Sequence, residues 1–260
     1  MNKLWKIIKD DGELEIVDLE QNTIDEWVNG RGWASYHQTE GAPPLTYRCA
    51  STTYFENFFQ NECKDEVGSD YERKDCRIKE GDVVVDVGGN IGCFSRYALT
   101  RGASRILSFE PFSKNFDCLR YNTENTLIES FNLGISDKAE VNTLLASNEF
   151  SGGSNMVGNE DNGLYNIQEE IECITLDSLF EDGVIDKIDF LKVDCEGSEM
   201  KVMDGLSDEN LDKVDRIAME FHHSLVPEGS KDRLLERLGS RYNLFFFNCG
   251  NLSIYHFWKK

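Results

Sequence analysis

The sequence lacks the marks of a secreted, membrane-spanning or zinc-binding protein. No C-x-x-C pair occurs among its eight cysteines, so a zinc site of the usual spacing is not predicted. Residues 1–11 contain no apolar stretch of roughly 7 to 15 residues such as a secretory signal needs, and no segment approaches the length that crosses a membrane. We therefore expect a cytoplasmic protein without membrane insertion, whose cysteines are buried, reduced thiols.

Basic residues are also scarce. Lysine and arginine total 27 against 48 aspartates and glutamates, which gives a formal net charge of -21, and no run of Lys and Arg forms a local basic patch. A negative field disfavours polyanions, so we expect no nucleic acid partner and favour neutral or cationic substrates.

The hydrophobic content of 40% excludes a disordered chain, and the length suits one large domain with an appendage.

The first 74 residues form the predicted appendage, an accessory segment of hairpin and helix. Residues 4–9 and 13–19 flank an Asp-Gly turn and predict a β-hairpin. Residues 23–30 predict a short helix that begins with a capping box and ends at a glycine. Residues 31–45, with Gly, Ser and a Pro-Pro pair, are interpreted as a connector.

The remaining residues, 75–260, predict one α/β domain. Unbroken apolar runs, separated by helix-length intervals, are typical of parallel strands that are covered on both faces. They occupy residues 83–87, 105–109, 130–135, 188–193 and 216–221. Residues 242–247 and 252–258, joined by a turn, predict a final antiparallel hairpin. Such a doubly wound, mostly parallel seven-stranded sheet is that of class I methyltransferases, whereas a dinucleotide-binding Rossmann sheet usually stays parallel.

One interval is too long for a simple crossover. Residues 139–145 and 171–176 are strand-like and flank a polar stretch rich in Gly and Asn at residues 147–163. We interpret this as a hairpin with an inserted loop, either a lid or a surface loop.

The first predicted strand of this domain ends in a glycine-rich turn that opens a helix, which is where a nucleotide-binding turn is found. In the dinucleotide fingerprint the second and third glycines admit a pyrophosphate and a close helix, but here Asn90 and Cys93 occupy those places. A ligand without a pyrophosphate, such as S-adenosylmethionine, fits better, and the helix N-terminus favours its carboxylate. The predicted cofactor residues of the turn are Asp86, Gly88, Gly89, Asn90 and Gly92.

Two further cofactor contacts are predicted at the next strand ends. Glu110 closes the second strand, where a carboxylate accepts hydrogen bonds from both ribose hydroxyls. Ser136 and Asp137 end the third strand and could meet an adenine amino group, although both residue types also begin turns for local reasons.

Polar residues also follow the fourth and fifth strands, at the edge where open α/β sheets bind ligands. Asp194 and Glu196 are candidate catalytic residues, while Glu199 is equally explained as a helix first-turn carboxylate. His222, with a pKa near neutrality, is a candidate general base. Asp194, Glu196, Glu220 and His222 could also form a divalent cation site, but such a site needs a spatial convergence that the sequence does not show, and no metal is predicted.

Four motifs resemble, in order and spacing, those of the FkbM family of methyltransferases. They are DVGGNIGCFS at residues 86–95, FEP at 109–111, LRYN at 119–122 and LKVDCEGSE at 191–199. The resemblance implies S-adenosylmethionine as donor and transfer to a hydroxyl of a carbohydrate or small-molecule acceptor. Gly89 departs from the Ala that the family generally has, and neither the acidic stretch at residues 62–80 nor the N-terminal hairpin and helix is a feature of the family, so the acceptor stays open.

Two other functions remain compatible with the sequence. One keeps the fold but binds NAD(P), as an oxidoreductase of Rossmann type. The other is a catalytically silent relative that serves as an interaction module, although the full set of predicted cofactor residues speaks against it.

Overall fold

The computed structural model describes residues 5–8, 14–17, 34–37, 46–49, 71–73, 75–146 and 167–260. The N-terminal strands are β1 (Trp5–Ile8), β2 (Leu14–Val17), β3 (Ala34–His37) and β4 (Thr46–Cys49), and they form a sheet of order β2-β1-β3-β4. The antiparallel pairing of β1 with β2 confirms the predicted hairpin. The prediction of a connector at residues 31–45 is wrong in part, because β3 lies within this range and pairs with both β1 and β4. The predicted helix at 23–30 falls outside the described residues.

The main sheet begins with three parallel strands and two helices. They are β5 (Val83–Val87), α1 (Cys93–Thr100), β6 (Arg105–Phe109), α2 (Ser113–Asn122) and β7 (Ile128–Phe131). All but the first residue of β5 and of β6 are buried, which explains their unbroken apolar sequences. The third strand therefore lies earlier than the predicted 130–135.

That shift arises because the chain leaves the main sheet after β7 and enters a small second sheet. Its strands are β8 (Gly134–Ile135), β9 (Glu140–Ala146) and β10 (Ile167–Ile174), in the order β8-β10-β9. The antiparallel pairing of β9 with β10 confirms the inserted hairpin, and α3 (Leu176–Glu181) follows it. The polar stretch at 147–163 lies outside the described residues.

The second half of the main sheet contains β11 (Phe190–Val193), α4 (Glu199–Asp204), α5 (Asp208–Leu211), β12 (Arg216–His222), α6 (Ser230–Gly239), β13 (Tyr242–Cys249) and β14 (Leu252–Lys259). The complete order is β13-β14-β12-β11-β5-β6-β7. Strand β14 pairs antiparallel with both β12 and β13, which confirms the terminal hairpin. The sheet is thus mostly parallel and seven-stranded, as predicted.

Apolar side chains cover both faces of this sheet. One cluster joins β5, β11 and β12 to α3, α4 and α6, and another packs α1 against the opposite face. Cys76, Cys93, Cys118 and Cys173 are buried, as predicted, whereas Cys195 is half-buried. Among the described residues, no helix is long and apolar enough to cross a membrane.

Candidate active site

A cavity opens at the carboxyl ends of β5, β6 and β11, next to the small sheet. Open α/β sheets bind ligands at this edge because the strand order reverses direction there. The lining residues are Val87, Gly88, Asn90, Phe109, Glu110, Pro111, Asn115, Leu133, Gly134, Ile135, Leu144, Asp194, Cys195 and Glu196.

The turn after β5 packs tightly against the end of β11. Gly88 has a φ of 79°, and a Cβ at this position would lie 1.7 Å from the backbone oxygen of Asp194. Any side chain is therefore excluded at Gly88, and the backbone of the turn reaches the cavity. Asn90, with a φ of 49°, lines the cavity as well. Gly89 and Gly92 belong to the turn but are not among the lining residues.

Asp86 lies behind the turn rather than at the cavity surface. Its carboxylate is fully buried and accepts hydrogen bonds from Ser95 Oγ at 2.6 Å and from Ser108 Oγ at 3.3 Å. The Lys192 ammonium lies 3.3 Å from its Oδ1. Asp86 is thus positioned to support the turn, and a direct contact with a cofactor stays a prediction.

Glu110 faces the cavity from the end of β6. Its Oε2 accepts the backbone N–H of Asn90 at 2.8 Å, and its Oε1 accepts that of Phe112 at 3.0 Å. Burial raises the pKa of Glu110 to about 7, although these two N–H groups act in the opposite direction. Each carboxylate oxygen keeps a second lone pair, so the group can still accept two hydroxyl hydrogens.

Ser136 and Asp137 lie just beyond the cavity. The buried Ser136 donates its N–H to the oxygen of Ile174 at 2.9 Å and its hydroxyl to Asp137 Oδ1 at 3.1 Å. Neither residue is among those that line the cavity, whereas the preceding Leu133, Gly134 and Ile135 are. An adenine contact by Ser136 or Asp137 stays a prediction.

Asp194 and Glu196 line the side of the cavity formed by β11. The Tyr71 hydroxyl lies 2.9 Å from Asp194 Oδ2 and 3.1 Å from Glu220 Oε2, so it joins the ends of β11 and β12. Glu196 has a φ of 48°, a strained value for a residue with a side chain. Burial and the neighbouring carboxylates raise the pKa of Glu196, and His222 offsets this only in part.

His222 connects Glu196 to a second glutamate, Glu199. Its Nδ1 lies 2.7 Å from Glu199 Oε1, and its Nε2 lies 3.3 Å from Glu196 Oε2. Burial alone would lower the pKa of His222, but the hydrogen bonds to Glu199 and Glu220 and the charge of Glu196 raise it far above its ordinary value. The expectation of a near-neutral pKa at His222 is therefore wrong, and the ring is charged at neutral pH.

Sequence reasoning missed two residues of this site. Lys192 is buried under the turn, and Tyr71 reaches the cluster from within the predicted accessory segment. A charged residue in the apolar run of β11 was the available signal for Lys192, since a buried lysine requires partners. No comparable signal marked Tyr71.

Asp194, Glu220 and His222 also bring one ligand atom each to within 4.8 Å of one another. Glu199 and Lys192 already supply hydrogen-bonding and charge partners to members of this group. The arrangement therefore does not require a cation.

The cavity residues fit S-adenosylmethionine. The free lone pairs of Glu110 suit ribose hydroxyls, and Phe109, Leu133, Ile135 and Leu144 supply an apolar wall for a purine. Carboxylates at the end of β11 suit the positive charges of the ligand's amino group and sulfonium.

A mostly parallel sheet with an antiparallel terminal hairpin, and a cavity of this composition, define a class I methyltransferase. The family model of the methyltransferase FkbM domain matches residues 86–251, which is more than half of the chain. The protein belongs to the FkbM methyltransferase family, and this family implies S-adenosylmethionine as methyl donor. The family match does not support an NAD(P)-dependent oxidoreductase.

Relatives of the family are 28% identical to this chain over the aligned residues. The hexuronic acid methyltransferase AglP of Haloferax volcanii is 28% identical over 152 residues, covering 58% of this chain and 60% of AglP. The 31-O-demethyl-FK506 methyltransferase FkbM of Streptomyces tacrolimicus is 28% identical over 187 residues, covering 58% of this chain and 70% of that protein.

A solved structure is also similar. The crystal structure of methyltransferase FkbM from Methylobacillus flagellatus KT has a TM-score of 0.47 and 18% identity, and the match covers 79% of this chain and 53% of that one. The chain thus spans about half the length of the crystallised protein.

Proposed function

We propose that the protein is an S-adenosylmethionine-dependent O-methyltransferase that acts on a hydroxyl of a carbohydrate or small-molecule acceptor. The observation that carries the proposal is the position of Glu196, a carboxyl group with a raised pKa that lines the same cavity as the cofactor turn. A hydroxyl acceptor needs a proton acceptor as its oxygen forms the new bond, and a carboxylate with a raised pKa is suited to that task.

The chain's own residues divide this work. S-adenosylmethionine, when bound, supplies an electrophilic methyl group on a sulfonium. Glu110 and the turn at Gly88 and Asn90 hold the donor, and the ionised Glu196 accepts the acceptor's hydroxyl proton. The His222 imidazolium, 3.3 Å away, stabilises the ionised form of Glu196 and orients its carboxylate.

The names of two relatives support this choice of reaction. AglP is described as a hexuronic acid methyltransferase, and a hexuronic acid is a carbohydrate acceptor. FkbM of Streptomyces tacrolimicus is described as a 31-O-demethyl-FK506 methyltransferase, and this name indicates transfer to oxygen. A divalent cation is not part of the proposal, because Lys192 and His222 already provide positive charge beside the carboxylates.

Isothermal titration with S-adenosylhomocysteine and with NAD tests the cofactor, and we expect binding of the first alone. A panel of sugars and small hydroxyl compounds, incubated with the labelled donor, tests the reaction. We expect an O-methyl ether, identified by NMR, and a rate unchanged by EDTA. Methylation at nitrogen or carbon would contradict the proposed acceptor, and the absence of adenosyl ligand binding would favour a silent interaction module.

A further inference from the structure

Lys192 makes contacts that the proposed catalytic roles do not explain. It lies in the apolar strand β11 between Leu191 and Val193, and only 3% of its surface is exposed. An ammonium group removed from water is strongly destabilising unless charged and hydrogen-bonding partners replace the water. Its partners are therefore informative about the reason for its burial.

The ammonium donates hydrogen bonds to the backbone oxygens of Gly88 and Val87 and forms ion pairs with two carboxylates. Nζ lies 2.7 Å from the backbone oxygen of Gly88, 3.3 Å from Asp86 Oδ1 and 3.5 Å from Asp194 Oδ2. The rings of Tyr71 and Phe94 complete its surroundings, with centroids 5.5 Å and 5.9 Å from Nζ. The partners of Lys192 thus all belong to the protein, and the residue does not line the cavity.

These contacts join two elements that have different tasks. Gly88 belongs to the glycine-rich turn, whereas Asp194 lies at the end of the neighbouring strand β11, close in sequence to Glu196. The turn already touches β11, since a Cβ at Gly88 would collide with the Asp194 backbone. The ammonium adds a charge-assisted hydrogen bond to Gly88 and an ion pair with Asp194, and charge-assisted hydrogen bonds are about twice as strong as neutral ones.

We propose that Lys192 is a positioning residue that fixes the cofactor turn relative to Asp194, so that donor and acceptor are held in line. The inference rests on the proposed function, because alignment matters only if both substrates meet in this cavity. The rate of an in-line substitution is sensitive to this alignment, and a shift of about 1 Å in the position of a reacting group costs roughly a hundredfold in rate.

Lys192→Met tests this role, because it keeps the length of the side chain and removes the charge. We expect S-adenosylhomocysteine to bind roughly tenfold or more weakly by isothermal titration. Turnover at saturating donor should also fall, since Asp194 loses its positively charged partner and keeps only the Tyr71 hydroxyl among the contacts described above. Lys213→Met is the matched control: its ammonium also contacts a ring, that of Phe180 at 5.2 Å, but lies away from the cavity.

Loss of Lys192 leaves the buried Asp86 without its counter-charge, so the single variant is expected to be less stable than the wild type. The double variant Asp86→Asn/Lys192→Met removes both charges and should regain thermal stability. Its affinity is compared with that of Asp86→Asn alone, which isolates the contribution of Lys192.

A positioning role predicts that the double variant is stable but still binds the ligand more weakly than Asp86→Asn. Affinity within about twofold of that reference would overturn the proposal and leave Lys192 a structural counter-charge only. The proposed function fails in a different way, because the wild-type protein would then bind no S-adenosylhomocysteine or would methylate no hydroxyl compound.

Discussion

His222 Nδ1 lies 2.7 Å from Glu199 Oε1, and the Glu199 side chain is completely buried. The same oxygen accepts the backbone N–H of Gly197 at 2.9 Å, so Glu199 fixes both the ring and the loop that carries Glu196. A first-turn helix carboxylate would need no such partners. Glu199 therefore acts on the site through His222 and the loop, without lining the cavity.

Glu199→Gln should lower the pKa of His222, because an amide keeps the hydrogen-bond acceptor but removes the negative charge. We expect a decrease of roughly 1 to 3 pKa units, measured from the ring nitrogen and carbon shifts in NMR titrations. The exposed Glu209→Gln serves as control. An unchanged His222 titration would mean that Glu196 and Glu220 alone keep the ring charged.

Glu196→Gln should lower turnover by roughly 10² to 10⁴, the usual contribution of a general base, with little change in S-adenosylhomocysteine affinity. The pKa of Glu196 is raised to about 8, so wild-type turnover should rise with pH as this carboxyl ionises near that value. The variant should lose that rise. Equal losses in turnover and affinity would instead assign Glu196 to cofactor binding.

Cofactor affinity should depend on pH through Glu110. Ribose hydroxyls donate to the ionised carboxylate, and burial raises its pKa to about 7, so affinity should increase as pH rises through that value. Isothermal titration of S-adenosylhomocysteine between pH 6 and 8.5 measures this. Glu110→Gln should bind weakly at every pH, and a wild-type-like pH dependence in the variant would assign the effect to another group.

Arg216→Met should destabilise the fold without involving the cavity. Arg216 and Asp82 are both buried and form two contacts of 3.0 Å, between Nη1 and Oδ2 and between Nη2 and Oδ1. Removal of one partner leaves a buried charge unpaired, which costs about 3 to 5 kcal/mol. Urea unfolding measures the loss, and Asp82→Asn/Arg216→Met should recover part of it. No recovery in the double variant would mean that packing, not charge, dominates.

The centre of the main sheet could be predicted from the sequence because strands β5, β6, β11 and β12 are buried on both faces and therefore appear as unbroken apolar runs. The third strand was placed too late, since Gly134–Ile135 has the same apolar character but pairs with β10 instead. The hydrophobic pattern of a sequence indicates that a residue is buried, but it does not indicate which sheet the residue belongs to.

The residues of the candidate site were predictable only where their place directly after a strand determines where they lie in the fold. Glu110 and Asp194 follow strands, so the edge of the sheet places them at the cavity. The pKa of His222 was not predictable, because it depends on Glu199 and Glu220, whose distances to the ring arise from tertiary packing. Likewise, the contact of Tyr71 with Asp194 joins residues 123 positions apart in the sequence.

The small sheet has a consequence for engineering this enzyme. In the sequence it is an insertion between two crossovers, and such insertions are natural places to exchange segments between relatives. Yet its strands β8 and β9 contribute Gly134, Ile135 and Leu144 to the cavity wall. A chimera that replaces the insertion would replace part of the cavity wall that we propose holds the purine, so exchanged segments should leave residues 133–146 intact.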